Sequence, residues 1–411
     1  MKRVVALAMM LPLSTEVAGQ DEAKRNRLIV HEWGTFTAVY GSDGTMLEWR
    51  PLETSDLPSF VYDRTRGSFR LYEGKIKSTA RMETPVLYFY SDREMTVDVS
   101  VRFPKGLITE WYPRVREYAP PLSDGSRPLP IADGYLRWGR IRIIPQGELK
   151  PDLPREKGES HYYPARETDS AFVRVCPGGD DYEKSEHEKF LFYRGVGNFE
   201  LPLGIQAQGN GKFVLTNPTA ADLPHVFVIS VKKDGKGKYA FLESVRSGQS
   251  REVALDLSEN WLTRDQLIRR IGEELEGCLV AEGLFRKEAK AMIKTWTDSY
   301  FEQEGTRVLY VLPPAMTNDL LPLSVSPAPV ELRRVLVGRV EILEPEHTER
   351  VRRHIRDLGS ESLDVRNDAE RKILGYGRFA EPTLQEVLRT SRDSELRARA
   401  EGLLLRMHVR K

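Results

Sequence analysis

Residues 95–103 read Met-Thr-Val-Asp-Val-Ser-Val-Arg-Phe, with Val97, Val99, Val101 and Phe103 alternating against Thr96, Asp98, Ser100 and Arg102. A period of two fits a strand with one buried and one wet face, as in an antiparallel sheet. Residues 86–90 supply a strand just before it. Further apolar runs at 135–144, 171–176, 189–193, 212–216, 225–232, 239–245 and 251–257 are separated by turn residues such as Gly209-Asn210-Gly211 and Asp234-Gly235. Residues 28–49, with the Gly41-Ser42-Asp43-Gly44 turn, are expected to form a hairpin. The region 28–257 therefore predicts an antiparallel β-sandwich, as one unit or two related halves. Two long polar stretches, 118–130 and 150–166, are expected as functional loops.

The period changes at Thr263. Residues 264–277 follow a capping Thr with helical spacing. A second helix is expected over 286–304, with Ala289, Met292, Ile293, Trp296 and Tyr300 on one stripe and Gly305 ending it. Strands at 306–312 and 333–343, joined through the Pro-rich link 321–329, are expected to form a cap or an edge on the sandwich. From Pro345 the chain is charged and helical, with starts at Asp364-Val365-Arg366, Ala380-Glu381-Pro382 and Ser394-Glu395. Residues 358–408 resemble a HEAT-type repeat, which implies protein contact rather than catalysis. Little more than one repeat is present, so a small bundle or a docked module is expected. The fold class is mainly β with a helical C-terminal part, α+β overall, divided as 28–257, 258–344 and 345–411.

Lys2 and Arg3, the apolar run from Val4 to Leu13 and the small residues Val17-Ala18-Gly19 have the layout of a secretory signal. Residues 1–19 are thus expected to be removed and the protein exported to the periplasm, the cell surface or the medium. The run is shorter than the roughly 20 residues of a membrane span, and none follows it. The net charge of +1 over 411 residues gives no reason to expect a nucleic-acid partner. An oxidising compartment would permit a bridge between the only two cysteines, Cys176 and Cys278; the alternative is two separate buried thiols.

His31-Glu32-Trp33 suggests metal ligation at first sight, but a zinc protease needs H-E-x-x-H on a helix. On a strand His31 and Glu32 point to opposite faces, which favours structural roles. The other histidines show no ligand spacing, and no metal or cofactor is expected. A carboxylate pair would have to come from Glu32, Glu83 and Glu110, which lie near aromatics such as Trp111 and near Arg194; structural ion pairs occur in the same settings. No G-x-S-x-G elbow is present, no cysteine has a histidine near it in sequence, and Gly195-x-Gly197 lacks the rest of a dinucleotide motif.

The segments His31-Glu32-Trp33-Gly34-Thr35-Phe36, Arg81-Met82-Glu83-Thr84-Pro85-Val86, 103–113 and Phe192-Tyr193-Arg194-Gly195 resemble those of a family of exported bacterial proteins of unassigned function. That resemblance carries over no active site. The leading expectation is a non-enzymatic envelope protein that binds proteins or glycans. The alternatives are an envelope hydrolase using the carboxylates, or a metal-dependent enzyme built around His31.

Overall fold

A mixed nine-stranded sheet forms the middle layer of the protein. In spatial order it runs β14 (Gly237–Val245), β13 (Leu223–Val231), β16 (Gly305–Val311), β18 (Glu331–Ile342), β1 (Ile29–Tyr40), β3 (Ala80–Tyr90), β10 (Leu191–Gly197), β5 (Gly106–Tyr112) and β2 (Tyr62–Asp63). The computed structural model describes residues 27–49, 51–52, 57–64, 76–121, 130–147, 151–176 and 185–409. The expected signal segment, 1–19, and the middle of the 118–130 loop lie outside the described residues.

Two smaller sheets supply the next layer. One runs β17 (Leu323–Ser326), β4 (Met95–Phe103), β7 (Gly134–Ile144), β8 (Phe172–Val175) and β9 (Glu186–Glu188), with β6 (Glu117–Ala119) against β7. The other is β11 (Gly204–Gly209), β12 (Lys212–Thr216) and β15 (Ser250–Ala254). Val97, Val99, Val101 and Phe103 pack against Val30, Phe36 and Ala38 of β1 in one apolar core. Each such side chain, fully buried, contributes about 1.5–3 kcal/mol. The chain is thus mainly β with a sandwich-like pair of layers and a helical C-terminal region.

The opposite face of the large sheet is covered by α1 (Arg264–Ala281) and α2 (Arg286–Thr297). Thr263 and Gln266 close a capping box at the start of α1. The second helix departs from its expected course after Thr297, where Asp298–Glu302 widen into a π-turn before Gly305. The 150–166 loop is pinned on this face through Tyr162 and Arg166, which both reach Glu188.

Three expectations need correction. Residues 45–49 form only isolated bridges, Tyr40 with Met46 and Trp49 with Ser78, so 28–49 is not a hairpin. The partners of β1 are β18, in parallel over all of Ile29–Tyr40, and β3, antiparallel; the sandwich is therefore not purely antiparallel. The strands expected as a cap or edge, β16 and β18, occupy the sheet interior between β13 and β1. Between them, Leu323–Ser326 of the Pro-rich link pairs with β4, and Pro314–Leu320, just before the link, forms a short helix, α3.

Cys176 and Cys278 are both free. Cys176 follows β8, whose Val173 and Val175 belong to the core on the sandwich side, whereas Cys278 lies on α1 in the core on the helix side. The two thiols thus belong to different parts of the fold, and no bridge joins them.

Helices α4 (Pro345–Asp357), α5 (Leu363–Tyr376), α6 (Glu381–Thr390) and α7 (Ser394–Val409) enclose a core of their own around Val351, Ile355, Ile373, Leu384 and Leu403. This bundle touches the β layers through Lys77 Nζ, which donates to Gln385 Oε1 at 2.9 Å, and through Glu346, which approaches Gly209. Among the described residues no helix is long and apolar enough to cross a membrane.

Candidate functional site

The period of β1 sends its two adjacent polar residues to different layers. His31 faces the helices, where Nδ1 lies 2.8 Å from Glu288 Oε2. Glu288 also accepts from the Tyr90 hydroxyl at 2.7 Å and from the Phe285 backbone N–H at 2.7 Å, and the Phe285 ring packs on the imidazole at 4.5 Å. Glu32 faces the sandwich, where it accepts from Arg334 Nε at 2.6 Å and from the Tyr193 hydroxyl. Arg334 in turn donates to Asn318 Oδ1 and to the Leu321 carbonyl. Both clusters are fully buried at their centres.

The other two carboxylates lie on the helix side, and they belong to one row. Thr35 pairs with Glu83, Arg194 with Glu110, and Glu110 with Asp63 across successive strands. Glu110 accepts from Arg194 Nε at 2.8 Å, and Glu83 Oε1 lies 4.0 Å from Arg81 Nε. The Tyr300 hydroxyl meets Thr35 Oγ1 at 2.6 Å above the row. Next to it, Arg307 and Arg339 converge on Glu341 Oε1, and Arg307 also donates to the carbonyls of Tyr300 in the π-turn and of Gln303 just after it.

Backbone irregularities gather at this row. The β1–β3, β3–β10 and β10–β5 ladders all shift register here, and Thr84 has φ +44°. A β-branched residue rarely adopts that conformation, and bulges re-aim side chains. Here the breaks turn Glu83, Arg194 and Glu110 to one side. Glu32 is on the other side of the sheet, so the three carboxylates do not form one site. A general acid needs a carboxyl in apolar surroundings, whereas Glu32 and Glu110 each face a guanidinium.

The two tryptophans nominated by the sequence are core residues. Trp33 packs near Tyr88 on the helix side, and Trp111 packs with Tyr118 on the sandwich side. Among the described residues, no three His, Cys, Asp or Glu side chains are arranged to hold a metal ion.

A cleft of about 720 Å³ opens where the ends of β13, β16 and β18 meet the C-terminal bundle. Val231, Leu257, Ile342 and Leu343 form an apolar floor. His347 stands at one wall with Tyr376 at 4.9 Å and Phe379 at 5.9 Å. Burial, with help from Arg350, lowers the pKa of His347 to about 4, so the ring is neutral near pH 7. Lys233 and Arg350 carry positive charge on the rim, and Glu304 and Glu346 negative charge. None of these residues was nominated by the sequence, because the cleft joins segments more than a hundred residues apart. Nor did the sequence signal that His225 meets Glu282 at the end of α1, where Nε2 lies 3.0 Å from Oε1.

No family model matches the chain, and no curated protein matches it. Among solved structures, the yeast delta-COP-I mu-homology domain in complex with a Dsl1 WxWxV peptide is similar at a TM-score of 0.25 and 9% identity, over 78% of this chain and 97% of that chain. The same yeast domain without the peptide gives a TM-score of 0.25 and 7% identity over the same shares. Likeness at that level carries no argument about fold or function.

Proposed function

We infer that the protein is exported and works by binding a segment of a partner polypeptide in the envelope, not by catalysis. The observation that carries this reading is the cleft between the sheet and the C-terminal bundle. Its volume falls in the range of ligand sites, roughly 300–1,000 Å³. An apolar floor with aromatic walls and a rim of both charge signs suits an apolar or aromatic side chain flanked by charged residues. The state of the carboxylates supports the same reading, since Glu32 and Glu110 are engaged by Arg334 and Arg194. The HEAT-like reading of the tail fits a surface for protein contact, and the cleft lies against that tail.

The test uses protein lacking residues 1–19, presented with envelope proteins in a pull-down, with a peptide library and with a glycan array. A peptide or protein partner should be retained, and the double charge reversal Lys233→Glu and Arg350→Glu should weaken it by about tenfold or more. Both residues are exposed, so the fold should tolerate the change. Retention of glycans alone, or of a partner indifferent to the reversal, would contradict the proposal.

A further inference from the structure

The nine-stranded sheet ends differently on its two sides. At one edge β2 is two residues long, whereas at the other β14 runs for nine. The backbone groups of a strand point alternately to its two sides, residue by residue, and the ends of β14 fix which residues point outward. The Lys236 carbonyl accepts from the Lys232 N–H across the hairpin, toward β13. Gly237 therefore points the other way, and there it exchanges both backbone bonds with Leu262, each at 3.0 Å. At the far end the Val245 carbonyl accepts from Asn217 Nδ2 at 2.8 Å. The N–H and C=O groups of Tyr239, Phe241 and Glu243 thus face away from β13. Among the described residues, no backbone or side-chain group pairs with them.

The side chains along this stretch are apolar on both faces. Tyr239 and Phe241 lie on the helix side, with the Phe241 ring 4.7 Å from Phe227, and Ala240 and Leu242 lie on the sandwich side. All four are half-buried. A groove of about 610 Å³ follows the first half of the strand. Its other walls are Ala254, Leu255 and Asp256 at the end of β15, and Arg270 and Glu274 of α1. It shares no residue with the cleft at the C-terminal bundle. Sheets commonly protect an open edge with Pro, a bulge or an inward charge. Between Lys238 and Glu243 the chain carries Tyr239-Ala240-Phe241-Leu242 instead, in unbroken register with β13.

We propose that the free edge of β14 binds an extended segment of another polypeptide as one more strand of the sheet. The segment pairs with the backbone groups of Tyr239, Phe241 and Glu243, continuing the antiparallel pairing that Leu262 begins at Gly237. Its side chains alternate between two environments. Those on the sandwich side meet Ala240, Leu242 and Leu255 and are apolar. Those on the helix side lie against Tyr239 and Phe241, next to Arg270 and Glu274, and are amphipathic, such as Thr, Tyr or Arg. A single extended chain needs about 5 Å of width beside the edge, whereas a second copy of this protein would bring its own β15 and α1 against the same walls. The site rests on the edge itself and is independent of the cleft.

The experiment selects short random peptides on full-length protein carrying Lys233→Glu and Arg350→Glu, which discards binders that depend on the cleft. The tightest peptide is then N-methylated at each amide in turn. Strand addition predicts a period of two: methylation at alternate positions weakens binding by about tenfold or more, and at the positions between them changes little. Residue-level amide exchange should show Tyr239, Phe241 and Glu243 gaining protection, while Ala240 and Leu242, bonded toward β13, keep theirs. Glu243→Pro removes one outward donor at an exposed position on an edge, where Pro is tolerated, and should weaken the peptide by about tenfold. If that variant does not fold, the methylation series carries the test. A selection that yields no binder, a methylation series without the two-residue period, or self-association of the protein that buries the same amides would overturn the proposal.

Discussion

His31 and Glu32 are consecutive residues whose side chains lie on opposite faces of one sheet, each fully buried at the centre of a cluster of its own. His31 is tied to Glu288 across 2.8 Å on the helix side, and Glu32 to Arg334 across 2.6 Å on the sandwich side. The His-Glu pair therefore serves as two anchors: one fixes α2 to the sheet, and the other fixes β18 to β1 and the segment before β17. A strand buried on both faces can place polar residues inside only if each finds a partner.

Removing one member of the Glu32–Arg334 pair should be severe, because it strands a buried charge. Arg334→Ala is expected to lower unfolding stability by about 3–5 kcal/mol. Tyr193→Phe, which removes only a hydroxyl donor, should cost about 1–3 kcal/mol. Urea denaturation of the purified variants measures both; equal small losses would refute the role assigned to Glu32.

Much of the strand content was legible because it rests on local pattern. Residues 95–103 and 212–216 are strands at the limits read from alternation and turn residues, and the helices after Thr263 follow their caps. Sheet order was not legible. β1 carries polar residues on a fully buried strand, so no alternation marks its wet face, and its parallel partner β18 lies some three hundred residues away. The Glu83–Arg194–Glu110 row was nominated residue by residue, but its convergence depends on three register shifts that leave no sequence signal. The cleft and the His225–Glu282 contact arise only from tertiary packing.

Gly195 sits at the register shift between β10 and β5, where an added Cβ would lie 2.1 Å from the Leu107 carbonyl oxygen. Backbone cannot yield as a flexible side chain does. Gly195→Ala should therefore destabilise the protein by about 1–3 kcal/mol or more and disturb the Arg194–Glu110 pair beside it. Thermal unfolding checks the prediction, with Gly277→Ala, where an added Cβ would meet nothing within 4 Å and the backbone is not left-handed, as a control for the glycine change alone.

Two histidines should shape the pH dependence of stability from opposite sides. His347 has its folded pKa lowered to about 4 by burial, below the ordinary value near 6.5. Its contribution is present above 6.5 and is lost as pH falls toward 4, because the unfolded chain takes the proton first. His225 has its pKa raised to about 9; its contribution is complete below 6.5 and is lost as pH rises through 9. His347→Gln should flatten the acid limb of an unfolding-midpoint profile, and His225→Gln the alkaline limb. Unchanged limbs in the variants would refute the assignment.

The C-terminal bundle has a separate core, so damage there should stay local. Ile373→Ala, at a fully buried site, is expected to cost about 2–5 kcal/mol within the bundle. Limited proteolysis should then cut in 345–409 while the β layers remain resistant. Simultaneous loss of both regions would show that they unfold as one unit.

The most direct test of the binding account is hydrogen–deuterium exchange of the exported form with and without a partner selected from the peptide library. The account predicts added protection in two regions that face each other across the cleft, 342–350 and 375–379. Protection confined to other surfaces, with these two segments unchanged at saturating partner, would contradict it.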